Sequence, residues 1–263
     1  MSLEKITFSF GKNWKNYSRT VRESNIRGAE ADIQDWLGAD FVRGKTVIDV
    51  GSGSGIHSMC FYNLGASSIF SFDYDRSSVE STRSFWLSSG APKNWLVREG
   101  SILDAAFIQT ISKSDIVYSW GVLHHTGAMW RALENAAELV KPGGTFFISI
   151  YAKGPRYEQD LALKRKFNEG NFFQKKILLY SFILKRHIWR RLKNRENPFR
   201  WNYQKARGMN VYYDVVDWLG GLPYEVAHES EITAFLVTKG FKIVRKELKP
   251  EGACHRLLYV RTQ

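Results

Sequence analysis

From Thr46 onward, short runs of β-branched and aromatic residues alternate with longer stretches of helical apolar spacing. The runs are Thr46–Val50, Ser68–Phe72, Trp95–Arg98, Asp115–Trp120 and Thr145–Tyr151. Between them lie helical patterns at about 55–64, 77–89 and 127–140, with a weaker one near 104–112. Strand alternating with helix predicts a parallel sheet covered by helices on both faces. The alternation stops after Ala152, and a helical, basic stretch of roughly fifty residues intervenes. It resumes as Lys242–Leu248 and Arg256–Arg261, joined by Lys249–His255, a connection short enough for antiparallel pairing. The expected architecture is an α/β doubly wound, seven-stranded sheet, mostly parallel with an antiparallel C-terminal strand. A helical insertion should separate strands 5 and 6. Residues 1–45 then form a helical entrance arm, 46–152 the ligand-binding core, 153–225 the basic insertion and 226–263 the end of the core sheet.

Composition narrows the class. The 263 residues are 44% hydrophobic and 24% charged, enough to bury a sizeable core and unlike disordered or fibrous chains. The longest apolar run, Ile177–Leu184, is broken at Ser181 and falls far short of the ~20 residues of a membrane span. Lys5, Lys12, Lys15 and Arg19 are scattered among aromatics with no apolar stretch between, which is not a secretory signal. Cys60 and Cys254 alone cannot build a disulfide framework. A soluble, cytoplasmic protein is expected. The net charge of +12 is localised: Lys153–Arg207 carries 16 basic against 4 acidic residues, and the remainder balances at 22 and 22. A segment of that sign speaks to an anionic substrate, nucleic acid or a membrane surface, and not to fold.

The most informative stretch is Val47-Ile48-Asp49-Val50-Gly51-Ser52-Gly53-Ser54-Gly55. A strand runs into three alternating glycines and then a helix. Glycines permit the tight turn and close backbone approach, and the N–H groups at the helix start favour an anionic group. The next strand ends at Asp73, eighteen residues after Gly55, where an acid can grip a ribose diol. A dinucleotide site wants a last glycine at Ile56.

With G-x-G-x-G spacing and Asp49 before the loop, this stretch resembles the first motif of class I S-adenosylmethionine-dependent methyltransferases. Phe72-Asp73-Tyr74-Asp75 is similar to the second motif of that family, Glu99-Gly100-Ser101-Ile102-Leu103-Asp104 to the third, and Tyr118–His125 to the fourth. Leu139-Val140-Lys141-Pro142-Gly143-Gly144 matches the turn before its fifth strand. The resemblance implies a Rossmann-like fold with S-adenosylmethionine as cofactor and S-adenosylhomocysteine as product. It implies that Gly51, Ser52, Gly53 and Gly55 pass beneath the methionine moiety and that Asp73 binds the ribose. Tyr74 and Ile102 would sandwich the adenine, and Trp120 of the fourth motif would join the site. Asp49 would meet the cofactor ammonium or brace its own loop. The third motif often has Asp where this chain has Ser101, so the adenine amine falls to Ser101, a backbone carbonyl or Asp104.

Methyl transfer is an in-line displacement that depends on positioning, and a hydroxyl acceptor also needs a base. His124 and His125 follow the fourth strand at its ligand-binding end. In many members of the resembling family a histidine stands at the position of His125, which would face the acceptor. His124 could instead cap the helix that follows. Tyr151, ending the fifth strand, should face the pocket as well. His57, His187, His228 and His255 are scattered, with no two at metal-ligand spacing. Cys60 falls inside a helix and reads as core. In the aromatic stretch Phe8–Trp14, Trp14, with Tyr17 beyond it, could close over the cofactor or anchor a helix.

Lys175–Leu192 reads as one helix with charged ends and an apolar middle that cannot be wholly solvated. It is a substrate lid, a peripheral membrane contact, or a dimer or RNA surface. The Asp217–Glu225 loop resembles one in quinol-type and cell-surface-glycan-type methyltransferases and should wall the acceptor pocket. The resulting expectation is O-methylation of a small-molecule, lipid-linked or glycan acceptor, anionic acceptors included. The alternatives are methylation of tRNA or another RNA, and a non-catalytic module that only binds the cofactor.

Overall fold

The computed structural model describes residues 10, 11, 13, 21–38, 40–198 and 211–262, apart from the side chains at 186, 187 and 190. Strands β1 (Thr46–Val50), β2 (Ser68–Asp73), β3 (Trp95–Glu99), β4 (Ser114–Trp120), β5 (Val140–Tyr151), β6 (Phe241–Glu247) and β7 (Cys254–Arg261) form one sheet. Its order is β3-β2-β1-β4-β5-β7-β6. The first five strands pair in parallel, and β7 lies antiparallel between β5 and β6. This is the predicted seven-stranded Rossmann-like fold. The strand order reverses between β1 and β4, and the ends of those two strands make the crevice where open α/β sheets bind ligands.

Neighbouring strand residues go to opposite layers, because side chains alternate across a sheet. In β5, Phe146 and Ile148 pack in one apolar cluster and Phe147 in the other. The first layer is closed by α5 (Met129–Glu138) and α10 (Glu229–Val237) through Leu133, Ala136, Ile232 and Leu236. The second is closed by α1 (Glu23–Leu37), α2 (Ile56–Asn63) and α3 (Arg76–Ser88) through Ile33, Trp36, Phe61 and Val79. Cys60 is fully buried in this layer, and burial pushes its thiol pKa up. The short α4 (Ala105–Gln109) starts at Asp104, whose carboxylate accepts from Ala106 N and Phe107 N. Both capping bonds fall on one oxygen, Oδ1.

Two details differ from the sequence pattern. The Lys141–Gly144 stretch is not a turn before β5 but an irregularity inside it, opposite a register shift between Ser114 and Ile116. Helix α10 was not foreseen, although His228 and Glu231 form a capping box at its start.

The segment after β5 folds as α6 (Tyr157–Glu169), α7 (Phe172–Ile183), a π-helical turn (Leu184–Ile188), α8 (Trp189–Lys193) and α9 (Val211–Gly220). The stretch expected as one helix is therefore interrupted by one wide turn. Leu179, Ile183, Trp218 and Tyr224 pack with Tyr151 in a third apolar cluster, which fastens these helices to the end of β5. Lys164 is fully buried there. Its Nζ donates to the Trp218 carbonyl and lies 4.4 Å from the Trp218 ring and 4.5 Å from that of Tyr224, so oriented rings and a carbonyl replace its hydration.

A tight joint between helices lies at Gly55, which precedes α2 with φ +89°; a Cβ there would lie 2.6 Å from Thr82 Cα on α3. Gly55→Ala would meet backbone and also force the left-handed region on a residue with a side chain. It should destabilise by about 2 kcal/mol or more, read as a lower urea midpoint at unchanged slope.

Candidate active site

At the end of β1 the chain turns through Gly51, Gly53 and Gly55, all with positive φ. A Cβ on Gly51 would stand 2.4 Å from Val122 after β4, so the bare backbone lets the two strand ends meet. Gly51 N and Ser52 N donate to Phe72 O at 2.8 and 3.1 Å. Gly53 N donates to Asp73 Oδ2 at 2.9 Å, and Asp75 N to Asp73 Oδ1 at 2.9 Å. The acid after β2 thus holds the glycine loop. Each of its oxygens accepts one such bond, and each carboxylate oxygen has a second lone pair.

Beneath the loop, Trp95 Nε1 donates to Ser71 Oγ at 2.9 Å, and Ser71 and Ser58 are 2.7 Å apart. Ser58 Oγ donates to Asp49 Oδ2 at 2.5 Å. Since Ser58 spends its proton on Asp49, Ser71 must donate to Ser58, and the relay points one way from β3 to β1. Burial pushes the Asp49 carboxyl up to about 7, opposed by the Ser58 bond and assisted by Asp73. Burial likewise raises Asp73 to about 6 against the backbone donors of Asp75 and Gly53.

Across the pocket, His125 lies in a 3₁₀ turn (Leu123–His125) after β4. Its Nδ1 is 2.7 Å from the Pro223 carbonyl. A carbonyl only accepts, so in the neutral ring Nδ1 carries the proton and Nε2 the lone pair. A Cβ on Gly221 would sit 2.7 Å from His125 Cε1, so the 221–223 loop is moulded against the imidazole. His124 is buried behind it. The His124 carbonyl accepts from Glu225 N at 3.0 Å, and its ring centroid is 4.3 Å from that of Tyr151. The cap of α5 comes from Glu225, whose two carboxylate oxygens each accept from Met129 N at 3.1 Å. His124 does not supply it.

One pocket is lined by Asp49, Gly51, Ser52 and Gly53 on the β1 side, Asp73 on the β2 side, and Trp120 and His125 on the β4 side. The other named residues lie off its wall. Gly55 packs on Thr82. Tyr74, beside Asp73, is 80% exposed, while Ile102 is buried in the core and its carbonyl accepts from Asn135. Ser101 Oγ accepts from Leu103 N. Tyr151 and His124 stand behind His125, with ring centroids 5.5 and 4.4 Å from it.

Phe10, His57 and Asp217 are also among the residues that line the pocket. The Phe10 ring packs tilted against His125 with centroids 4.7 Å apart, Gly11 N donates to Asp75 Oδ2 at 3.0 Å, and Asn13 Nδ2 donates to Tyr213 O at 3.3 Å. The entrance arm thus touches the β2 side, the imidazole and the insertion together. The aromatic-rich stretch pointed to this arm; Trp14 and Tyr17 lie outside the described residues. His57, two places after Gly55, was set aside because it has no metal-ligand spacing. Asp217 had only its place in an aromatic loop to mark it.

A doubly wound sheet with a glycine loop at its switch point and an acid after β2 defines a nucleotide-cofactor α/β enzyme. A family model described as "Methyltransferase domain" matches residues 22–207, more than half of the chain. The chain therefore belongs to this family of S-adenosylmethionine-dependent methyltransferases. It is 30% identical over 106 residues to a ribosomal protein L11 methyltransferase of Halalkalibacterium halodurans, covering 40% of this chain and 32% of that protein. It is 32% identical over 111 residues to a ubiquinone biosynthesis O-methyltransferase of Proteus mirabilis, covering 42% of this chain and 44% of that one. The match thus spans less than half the length of either relative. Magnesium protoporphyrin IX methyltransferase from Synechocystis, solved with bound S-adenosylhomocysteine, superposes with TM-score 0.54 at 17% identity, over 92% of this chain and 88% of that one. That likeness is one of fold.

The raised carboxyls give the folded protein a pH signature. In the unfolded chain Asp49 and Asp73 titrate near 3.8, so between about pH 4 and 7 the folded state holds more protons. Their contribution to stability is full below that window and is lost as pH rises through it. The urea-unfolding free energy of Asp49→Asn, which keeps an acceptor for Ser58, should fall less than that of wild type across this range.

Proposed function

We propose that the chain methylates a hydroxyl group of a small or lipid-linked acceptor, with His125 as general base. The observation that carries this is the Nδ1 to Pro223 bond, which fixes the tautomer a base requires. The O-methyltransferase relative supports the same acceptor atom. S-adenosylmethionine, when bound, supplies a methyl group activated on its sulfonium. Gly51, Ser52 and Gly53 would lie against its methionine moiety, Asp49 would face positive charge, and Asp73 would hold the ribose hydroxyls. The fit rests on the close approach that a Cβ at Gly51 would block and on two carboxyls facing the same pocket. Trp120 and Phe10 give the pocket apolar walls that exclude water. We assign the adenine to the Tyr74, Ser101 and Ile102 side. Residues 1–45 serve as the entrance arm and 153–225 as the substrate cover, which brings Asp217, Gly221 and Pro223 to the acceptor side.

A hydroxyl acceptor is almost wholly protonated at neutral pH, so its proton must leave as the new O–C bond forms. His125 Nε2 would receive that proton, and the Pro223 carbonyl would stabilise the resulting imidazolium through Nδ1–H. His124 and Tyr151 act behind it as positioning residues.

Asp73→Ala should weaken cofactor binding by about 1.5–3 kcal/mol, measured by calorimetry, the range for a hydrogen bond to a charged group. His125→Ala should lower kcat by about 10²–10⁴-fold, leave cofactor affinity nearly intact and abolish the acid limb of the pH–rate profile. Near-normal kcat in that variant would defeat the hydroxyl reading and indicate a nucleophile with its lone pair already available.

A further inference from the structure

Helix α7 is apolar on two opposite sides. Leu179 and Ile183 are buried in the third cluster, and Phe182 stacks on Trp218 at 4.9 Å. The other side carries Phe173, Ile177, Tyr180 and Leu184, at the i, i+4, i+7, i+11 spacing of a single helical face. That face is open: Phe173 is 74% exposed and Ile177 70%. Trp189 and Leu192 continue it beyond the π turn, also exposed. Seven of the fifteen exposed large hydrophobic residues among the described ones fall within residues 172–192. Such concentration in a small stretch marks an interaction surface.

The charge around this face selects its partner. Between Glu169 and Glu196 the sequence has eight basic residues and no acidic one. Lys176 Nζ donates to Tyr212 OH at 3.1 Å and lies 5.7 and 5.8 Å from the rings of Phe172 and Tyr180, at the edge of this face. We propose that α7 and α8 form a docking surface for an anionic lipid bilayer. Phe173, Ile177 and Leu184 would enter the acyl boundary, Tyr180 and Trp189 the headgroup level, and the lysines would meet lipid phosphates. A second copy fits poorly, because isologous pairing would bring two such cationic segments together. An RNA backbone would answer the charge and leave the aliphatic row in water. The surface goes beyond the methyl-transfer reading and holds whichever acceptor atom is used.

The test is co-sedimentation of the full chain with phosphatidylcholine vesicles, with and without phosphatidylglycerol. Binding is expected only to vesicles containing the anionic lipid and should weaken as salt is raised. Phe173→Glu with Ile177→Glu should abolish it. Lys185→Gln with Lys193→Gln should lower the partition coefficient roughly 30-fold, since each charge near the surface contributes about fivefold. All four side chains are exposed, so thermal midpoints should match wild type. Absence of binding to anionic vesicles overturns the proposal, as does equal binding to phosphatidylcholine alone. Sedimentation velocity showing a dimer dispersed by Phe173→Glu, with no vesicle binding, would give the face to a second copy. RNA binding lost in the lysine variant, again without vesicle binding, would give it to nucleic acid.

Discussion

A carboxyl group taken out of water under a glycine loop is the constraint on which this site is built. Asp49 sits at the end of β1 with its charge disfavoured by burial, and the fold answers by aligning hydroxyls and an indole N–H toward it. That relay crosses three strands and the first turns of α2. It therefore ties the floor of the cofactor pocket to the outer edge of the sheet. Any rotation of α2 that broke the Ser58 bond would leave a buried acceptor unpaired, a larger penalty than the bond's net contribution. The loop above can then be mostly backbone, because the Phe72 carbonyl and the Asp73 carboxylate hold its N–H groups from the side.

The His125 side of the pocket is organised differently. Its key groups come from four separate places: Phe10 from the entrance arm, His125 from the turn after β4, Asp217 from α9, and Pro223 from the loop that follows. What joins them is backbone bonding between remote segments. Glu225 N holds the His124 carbonyl while its carboxylate closes the start of α5, and Pro223 O fixes the imidazole two residues away. One five-residue stretch thus sets the start of α5, the turn after β4 and the tautomer at once.

This contrast explains what could be read from the sequence. The cofactor half was legible because its parts lie within one βαβ unit at fixed spacings: strand, Gly51 to Gly55, helix, strand, Asp73. The layers were legible because β-branched and aromatic runs such as Ile48–Val50 and Phe146–Ile150 are buried whichever way a residue points. The position of β7 between β5 and β6 was not, since the spacing of two strands shows only that they can pair. Phe10 and Glu225 were hidden for another reason. Neither has a local pattern that distinguishes it from an anchoring aromatic or a surface acid, and their roles exist only once distant segments have docked. The π turn at Leu184–Ile188 was equally invisible, because a one-residue widening leaves the apolar spacing on either side nearly unchanged.

The bond between His125 and Pro223 has an evolutionary side. The imidazole belongs to the turn after β4, but the carbonyl that orients it belongs to the loop after α9. Under the proposed function, a lineage that remodelled this loop would alter the orientation of its own base in the same step. The hydrogen bonds that Asp49 and Asp73 make run to Ser58, Gly53 and Asp75 instead. Acceptor recognition and proton transfer would then drift together.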